Sequence, residues 1–335
     1  REHSADGILQ AVVVVSKNAN VATGAAGDRN AAELAALVAG ATGCEERDVL
    51  VASTGVIGVP YPMQRLRDHL GGLHRPLPEA DASRVATAIM TTDTHPKLAS
   101  ATLPTFDGGT ASIVGIAKGV GMIEPDMASM LAFIFTDASV PPMELDDGFR
   151  GVVERSFNSL SVDTDTSTSD TAVVLASGAA GEVDPHEFNL ELAAVCTELT
   201  RQLASDGEGA TKLLVVECTG ARDAEQAKRV AKVVVNSPLV KTAVHGADPN
   251  WGRVVMAVGK CSDDADIEPD RVSVSFGSQQ VYPTGGGTDL AELEAYLAGD
   301  EVHIGVDLGI GDAHWHVYGC DLSDGYVRIN ADYTT

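Results

Sequence analysis

The sequence has few positive charges, few cysteines, few aromatic residues and no long apolar run. Its 335 residues include 23 lysines and arginines against 48 aspartates and glutamates, which gives a formal net charge of −25. Because binding to nucleic-acid phosphates needs clustered cations, this balance argues strongly against a nucleic-acid-binding protein. It also disfavours binding to anionic membrane surfaces. No apolar run approaches the roughly 20 residues that span a bilayer, so we expect no membrane segment.

Cysteine is scarce, and its spacing forms no recognisable pattern. The five residues are odd in number, widely spaced and free of any C-x-x-C pair: Cys44, Cys196, Cys218, Cys261 and Cys320. Such spacing is typical of buried structural thiols in a reducing compartment. The opening residues, Arg1 to Asp6, resemble neither the basic start nor the apolar stretch of a secretion signal. We therefore expect a cytoplasmic protein.

Short β-branched runs alternate with Ala- and Leu-rich helical patterns, and 44% of the chain is hydrophobic. This alternation predicts an α/β (α+β) protein with layered sheets covered by helices. Strands are predicted over Leu9–Val15, Val49–Ser53, Ala111–Ala117, Met130–Thr136, Ala172–Ala176, Lys212–Cys218, Val272–Phe276, Val302–Asp307, His314–Tyr318 and Tyr326–Asn330. Helices are predicted over Asn30–Val38, Met63–Leu70, Ala82–Met90, Leu145–Phe157, Phe188–Ala204, Asp223–Val235 and Asp289–Leu297.

The most informative loop joins two predicted strands and reads AKGVGMIEPDMASML from Ala117 to Leu131. It delivers a small residue, Ala128, and then a hydroxyl, Ser129, at the start of an apolar strand. Such a hydroxyl can attack the preceding carbonyl, form an ester by an N→O acyl shift, and be released by water as an N-terminal nucleophile. The freed amine can then act as the base for its own hydroxyl. On spacing alone, a serine that begins a strand is more often structural.

No metal site is predicted. His314 and His316 alternate on a predicted strand and so share a face, but the sequence offers no third ligand nearby. Two ordinary strand residues are the simpler interpretation.

Several ordered blocks of this sequence resemble the ornithine acetyltransferase family, the glutamate N-acetyltransferases of arginine biosynthesis. The blocks are the loop from Ala117 to Leu131, STGVIG at 53–58, AIMTTDT at 88–94, SDGEG at 205–209, VKTA at 240–243, DPNWGR at 248–253 and VSVSF at 272–276. The similarity runs in order from near residue 11 to the C-terminus. The blocks KNANVATG at 17–24 and GCDLS at 319–323 are most similar to the paralogue of clavulanic acid gene clusters.

The resemblance implies that the chain cleaves itself between Ala128 and Ser129. The products would be an α chain of residues 1–128 and a β chain of residues 129–335 that begins with the nucleophile. The family usually has threonine at this place, and serine keeps the hydroxyl and the latent amine but lacks the methyl group that restricts the rotamer. The implied fold is a layered αββα-like sandwich with N-terminal-nucleophile chemistry. Two αβ heterodimers are expected to associate into a heterotetramer.

The resemblance also implies the remaining site residues. Thr54 and Gly55 would form the oxyanion hole, at a turn that can expose backbone donors. The implied substrate contacts are Thr91, Lys118, Ser129, Glu208, Asn330 and Thr335. Lys118 can pair with the α-carboxylate of an N-acetylated amino acid, and Glu208 can pair with an ammonium group.

The implied reaction is a ping-pong transfer of an acetyl group from N-acetylornithine to glutamate, which yields ornithine and N-acetylglutamate through an acetyl-Ser129 ester. No metal or organic cofactor is expected. One alternative is an amidase or aminopeptidase in which water is the acceptor for the same nucleophile. The other is a non-catalytic amino-acid-binding protein whose Ser129 is never unmasked.

Overall fold

Strands and helices alternate along the part of the chain, residues 6–73, 75, 77, 81–123, 130–283 and 289–332, that the computed structural model describes. The strands are β1 (Ala11–Asn18), β2 (Val49–Val56), β3 (Lys97–Pro104), β4 (Thr110–Lys118), β5 (Leu131–Ser139), β6 (Thr171–Glu182), β7 (Leu213–Ala221), β8 (Ser273–Phe276), β9 (Gln279–Tyr282), β10 (Glu301–Asp307) and β11 (Ala313–Cys320). The helices are α1 (Gly24–Thr42), α2 (Met63–Leu70), α3 (Ala82–Ala88), α4 (Pro142–Arg155), α5 (Pro185–Ser205), α6 (Ala224–Val235), α7 (Pro238–His245), α8 (Trp251–Val258), α9 (Leu290–Leu297) and α10 (Asp324–Asp332). Within the described ranges, no helix combines the length and apolarity needed to cross a bilayer.

The strands of the described ranges pair into three sheets. β1 and β2 form a small parallel sheet, the second sheet has the order β3-β4-β5-β6, and the third has the order β11-β7-β10-β8-β9. In the four-stranded sheet, β4 runs antiparallel to both of its neighbours, whereas β5 and β6 are parallel. In the five-stranded sheet, β7 and β10 are parallel and the other pairs are antiparallel.

Alternating side chains along the strands produce the layers. On β5, Phe133 packs in a cluster with Ala52 of β2, whereas the next residue, Ile134, packs in a cluster with Leu192 of α5. Successive residues of a strand point to opposite faces, so the small sheet covers one face of the four-stranded sheet and α4 and α5 cover the other. Helices α1 and α2 pack against the small sheet. This confirms the predicted layered α/β class.

The helix α5 also joins the two larger sheets. Leu213 and Val215 of β7 belong to the cluster that contains the buried face of α5. Leu214 and Val216 point the other way, into a cluster formed with α6, α7, α8 and α9. At β7, the five-stranded sheet is therefore covered by helices on both faces, which explains the continuous apolar run LLVV at 213–216. The strands β8 and β10 instead alternate between fully and partly buried or exposed residues.

The loop from Ala117 to Leu131, here called the serine loop, is predicted to lie between two strands. These two strands are neighbours in the four-stranded sheet. Lys118, the last residue of β4, pairs with Leu131, the first residue of β5. The loop between them thus starts and ends at one edge of the sheet. Ala128 and Ser129 of this loop, and Thr335 at the C-terminus, lie outside the described residues.

The strand predicted over Tyr326–Asn330 is wrong, because these residues lie in the helix α10. The β-branched Val327 and Ile329 favour a strand, but both are on the surface, 64% and 37% exposed, and pack into no sheet. Instead, the Asn330 side chain donates to the Tyr326 carbonyl one helical turn back, at 3.1 Å. This turn places both side chains on the same face of α10.

The predicted start of the first helix at Asn30 is also wrong, since α1 begins at Gly24. Gly24 and Gly27 have low helix propensity, so the sequence pattern does not indicate the first turns of α1. Gly27 is required by packing, because a side-chain carbon there would lie 2.0 Å from the Thr23 hydroxyl. The strand β3 and the short helices α7 and α8 are not predicted at all.

All five cysteines are free thiols. Cys196, Cys218 and Cys320 are buried, as the sequence predicts. For Cys44 and Cys261 the prediction of burial is wrong, since both are partly exposed. Each lies in a turn at the end of a helix rather than on the inner face of that helix.

We predict that Leu199→Ala lowers the free energy of unfolding by about 2–5 kcal/mol, because it empties fully buried space between α5 and β4. Leu190→Ala is the matched control on the same helix. Leu190 is 57% exposed, so its truncation should change stability by no more than about 0.5 kcal/mol. Urea unfolding followed by circular dichroism measures both, and equal losses would contradict the position of α5 between the layers.

Candidate active site

The predicted oxyanion-hole pair lies at the end of β2, where this strand runs beside β1. Thr54 is buried, and Gly55 has a φ of +125°, which glycine adopts far more readily than other residues. A side-chain carbon at Gly55 would approach the backbone carbonyl carbon of Lys17 to 2.3 Å. Glycine is therefore required here both by the backbone conformation and by the close approach of β1.

Lys118 connects this turn to the four-stranded sheet. It is 3% exposed at the end of β4, and its Nζ donates to Thr54 Oγ1 at 3.2 Å. Burial lowers the pKa of this ammonium, while the nearby Asp93 carboxylate opposes that shift. Burial also disfavours ionised Asp93, but the charges of Lys118 and Lys97 outweigh it and hold the pKa of that carboxyl below its usual value. The Lys118 amine thus lies next to the predicted oxyanion hole.

Three buried charged residues near Lys118 fix the backbone at Thr91 and Gly119. Lys97, at the start of β3, is fully buried, and its Nζ lies 2.8 Å from Asp93 Oδ1 and in contact with Asp206. Asp93 also accepts hydrogen bonds from Gly119 N at 2.8 Å and from Thr91 N at 3.0 Å. Sequence reasoning missed these three charged residues because residues of this type are mostly exposed.

Glu208 lies in the turn between α5 and β7 and reaches the same region. Its Oε1 accepts from the Thr92 hydroxyl at 2.9 Å, and its Oε2 accepts from Asn330 Nδ2 at 2.8 Å. Its backbone N–H donates to the Val120 carbonyl at 2.7 Å. A side-chain carbon at Gly121 would lie 2.5 Å from Glu208 Oε2, so the glycine makes room for the carboxylate. Glu208 therefore joins α10 and the turn after α3 through its carboxylate, and the loop after β4 through its backbone N–H.

The structure brings six of the predicted site residues together around one cavity of about 200 Å³: Thr54, Gly55, Thr91, Lys118, Glu208 and Asn330. Three further predicted residues, Ala128, Ser129 and Thr335, lie outside the described residues, so their roles stay predictions. A wider groove of about 590 Å³ beside α1 is lined by residues such as Cys44 and Arg47 and by none of the predicted site residues. The smaller cavity is therefore the candidate site.

Two aspartates that sequence reasoning did not select hold the ends of the serine loop. Asp163 accepts hydrogen bonds from Met122 N at 2.7 Å and from Ile123 N at 2.8 Å, in the first part of the loop. Asp170 accepts one from Met130 N at 2.8 Å, at the end of the loop. Their signal in the sequence is the run DTDTSTSD that they bracket, since short acidic and hydroxyl side chains readily bind backbone N–H groups.

The whole chain, residues 1–335, matches the family model described as the ArgJ family. The chain belongs to the ArgJ family. This membership confirms the predicted resemblance to ornithine acetyltransferases. It also confirms the prediction of an enzyme that transfers acetyl groups in arginine biosynthesis.

The similarity of this ArgJ-family chain to known relatives extends over nearly all of its length. The glutamate N-acetyltransferase Oat2 of Streptomyces clavuligerus is 56% identical over 341 residues, which cover 100% of this chain and 86% of the relative. The arginine biosynthesis bifunctional protein ArgJ of Rhodococcoides fascians is 57% identical over 327 residues, or 97% of this chain and 80% of that protein. The crystal structure of ArgJ from Bacillus halodurans aligns with a TM-score of 0.57 at 40% identity, over 60% of this chain and 98% of that chain.

We predict that Gly55→Ala destabilises the protein by about 3 kcal/mol or more, since it combines a strained φ with overlap against the β1 backbone. Gly58→Ala is the control: Gly58 also has a positive φ, +79°, but faces open space. We expect it to cost only about 1–2 kcal/mol. Thermal unfolding measures the loss of stability in both variants. Equal losses would contradict the close approach of β1 to Gly55.

We predict that Lys97→Met destabilises the protein by about 3–5 kcal/mol at pH 7, because it removes the cation that contacts both buried carboxylates, Asp93 and Asp206. The lowered pKa of Asp93 stabilises the unaltered protein above its unfolded pKa, and this contribution is lost as the pH falls through the folded pKa. The deficit of the variant should therefore shrink in acid. Arg150→Ala, which removes an exposed ion pair with Asp146, is the control and should leave the unfolding temperature unchanged. A deficit of Lys97→Met that is independent of pH would count against this explanation.

Proposed function

We propose that this chain cleaves itself before Ser129 and then moves an acetyl group from N-acetylornithine to glutamate by a ping-pong mechanism. The observation that carries the proposal is the convergence of the six predicted residues on one cavity at the edge of the sheet from which the serine loop leaves. These residues come from separate parts of the sequence, so their meeting is not a consequence of sequence proximity. Ser129 lies one residue before Met130, which Asp170 holds at that edge.

The charges around the cavity suit an N-acetylated amino acid. Lys118 supplies a buried cation for the α-carboxylate. Glu208, Asp163 and Asp165 also line the cavity and can supply negative charge for a side-chain ammonium. A diamino acid that carries both groups therefore finds partners of both signs.

The turn at Thr54 and Gly55 suits the stabilisation of an oxyanion. Its position beside Lys118 puts a positive charge close to the donors, and a single donor of this kind typically lowers a barrier by about 2.7–4 kcal/mol. In the first half-reaction, Ser129 Oγ bonds to the acetyl carbon while its proton passes to the free amine of the same residue. Ornithine then leaves with that proton. In the second half-reaction, the amine of glutamate attacks the acetyl-Ser129 ester and Oγ regains its proton.

Self-cleavage would separate β4, in an α chain of residues 1–128, from β5, in a β chain of residues 129–335. The two strands remain paired from Ile113 with Thr136 to Lys118 with Leu131, so the fragments should stay together.

Association of two αβ pairs into a heterotetramer completes the proposal. We place the enzyme in the cytoplasm, where the five free cysteines would remain reduced.

We predict that Ser129→Ala abolishes both cleavage and acetylation, because it removes the oxygen that forms the ester. Ser129→Thr is the matched variant that keeps the hydroxyl and should cleave and accept an acetyl group. Intact mass before and after incubation with N-acetylornithine measures both events. Cleavage before residue 129 in the Ala variant, or acetylation of its intact chain, would refute the proposed nucleophile.

The same samples separate the alternatives. N-acetylglutamate formed only when glutamate is present supports the transferase, whereas acetate released without glutamate indicates a hydrolase. A single uncleaved mass that still binds N-acetylornithine indicates a binding protein.

A further inference from the structure

Three carboxylates line the candidate cavity, and they differ in how far the protein itself already uses their oxygens. Asp163 accepts hydrogen bonds from the backbone N–H groups of Met122 and Ile123, at 2.7 and 2.8 Å. Longer contacts of 3.4 Å, from the Asp165 N–H and the Tyr326 hydroxyl, reach the same two oxygens. Each oxygen of Asp163 therefore has two donors, and this carboxylate serves mainly to hold the backbone.

Glu208 is also committed to contacts within the protein. Its two oxygens accept from the Thr92 hydroxyl at 2.9 Å and from Asn330 Nδ2 at 2.8 Å. A ligand that took either oxygen for itself would compete with one of these hydrogen bonds. Glu208 therefore ties structural elements together whether or not a substrate is bound.

The carboxylate of Asp165 differs from the other two, because it has no hydrogen-bond or ion-pair partner among the described residues. Asp165 is exposed, and its backbone N–H is the group that contacts Asp163. Thr164, between the two aspartates, has a φ of +69°, which is rare for a β-branched residue. This turn of the chain places Asp163 and Asp165 on the same cavity. A ligand can thus bind the Asp165 carboxylate without displacing a donor in the described part of the chain.

An aromatic ring completes this part of the cavity. Tyr326 of α10 also lines the cavity, and its hydroxyl lies 3.4 Å from Asp163 Oδ2. Burial, together with the charges of Asp163, Asp165 and Glu208, raises the pKa of this phenol to about 12. The surroundings of Tyr326 are therefore strongly negative. Carboxylates beside an aromatic ring are well suited to bind a cation.

The remaining charged residue on the described lining of the cavity is Lys118, which can hold the α-carboxylate of a substrate. A donor bound in this way still has the ammonium group of its side chain to place. On the basis of the N-acetylornithine reaction proposed above, we infer that Asp165 selects the donor substrate by binding this side-chain ammonium. Glutamate carries a carboxylate in the corresponding part of the molecule, so the same residue disfavours glutamate by like-charge repulsion.

Isothermal titration calorimetry of the purified protein with L-ornithine, L-norvaline and L-glutamate tests this selection. L-norvaline has the carbon chain of ornithine but lacks the side-chain ammonium. In Asp165→Asn, we expect ornithine to bind at least about 10-fold more weakly, in the range of a charge-assisted hydrogen bond. Norvaline should bind as it does to the unaltered protein. Glutamate should bind more tightly, a gain that a merely structural role of Asp165 would not produce.

The matched control is Asp263→Asn. Asp263 is also exposed but does not belong to the lining of the cavity. Its substitution changes the net charge by the same amount, so it should leave all three affinities unchanged. Because the Asp165 side chain makes no contact that stabilises the described structure, Asp165→Asn should keep the unfolding temperature of the unaltered protein.

Two outcomes would overturn the inference: unchanged binding of ornithine to Asp165→Asn, or equal losses of affinity for ornithine and norvaline. Acetylation by N-acetylornithine, followed by intact mass, separates this result from the proposed function. An unaltered chain that becomes acetylated, while Asp165→Asn still binds ornithine normally, would overturn the role of Asp165 and leave the proposed function intact. A chain that never accepts an acetyl group, but loses its preference for ornithine in Asp165→Asn, would overturn the proposed function and support the role of Asp165.

Discussion

A fully buried lysine between two carboxylates is the interaction on which the rest of the candidate site depends. Lys97 ties the start of β3 to Asp93 in the preceding turn and to Asp206 at the end of α5. Because the interior offers no water to solvate these charges, each must keep its partner in place. The constraint passes to the cavity through Asp93, which holds the backbone of both Thr91 and Gly119. Three elements that are distant in the sequence are thereby fixed around Lys118.

Carboxylates that accept backbone hydrogen bonds organise the loops of this site in the same way throughout. Asp93 holds the turn after α3, Asp163 holds the first part of the serine loop, and Asp170 holds its end. Hydrogen bonds to an ionised acceptor are stronger than neutral ones, so they can fix loops that lack a sheet ladder of their own. Part of the strongly acidic composition therefore positions the backbone.

The sequence predicted the outline of the fold and six residues of the cavity, but not what supports them. Continuous apolar runs identified β4 and β5, because each strand buries residues on both faces. The same reasoning failed at α10, where Val327 and Ile329 are exposed and local propensity carries no tertiary information. Lys97 and Asp206 escaped notice because burial of a charge depends on a partner about a hundred residues away, and no local pattern records that pairing.

The position of the serine loop explains how a chain could be cut inside a buried core without unfolding. β4 and β5 are the two central strands of the four-stranded sheet, so each keeps a second partner, β3 or β6, after the loop is broken. Their own pairing and the clusters on both faces of the sheet involve residues on both sides of the loop. A break at the loop therefore removes only one covalent link, and the buried apolar surface that holds the strands together is unchanged. Lys118 and the Met130 backbone that Asp170 holds lie at the edge of the sheet where the candidate cavity opens.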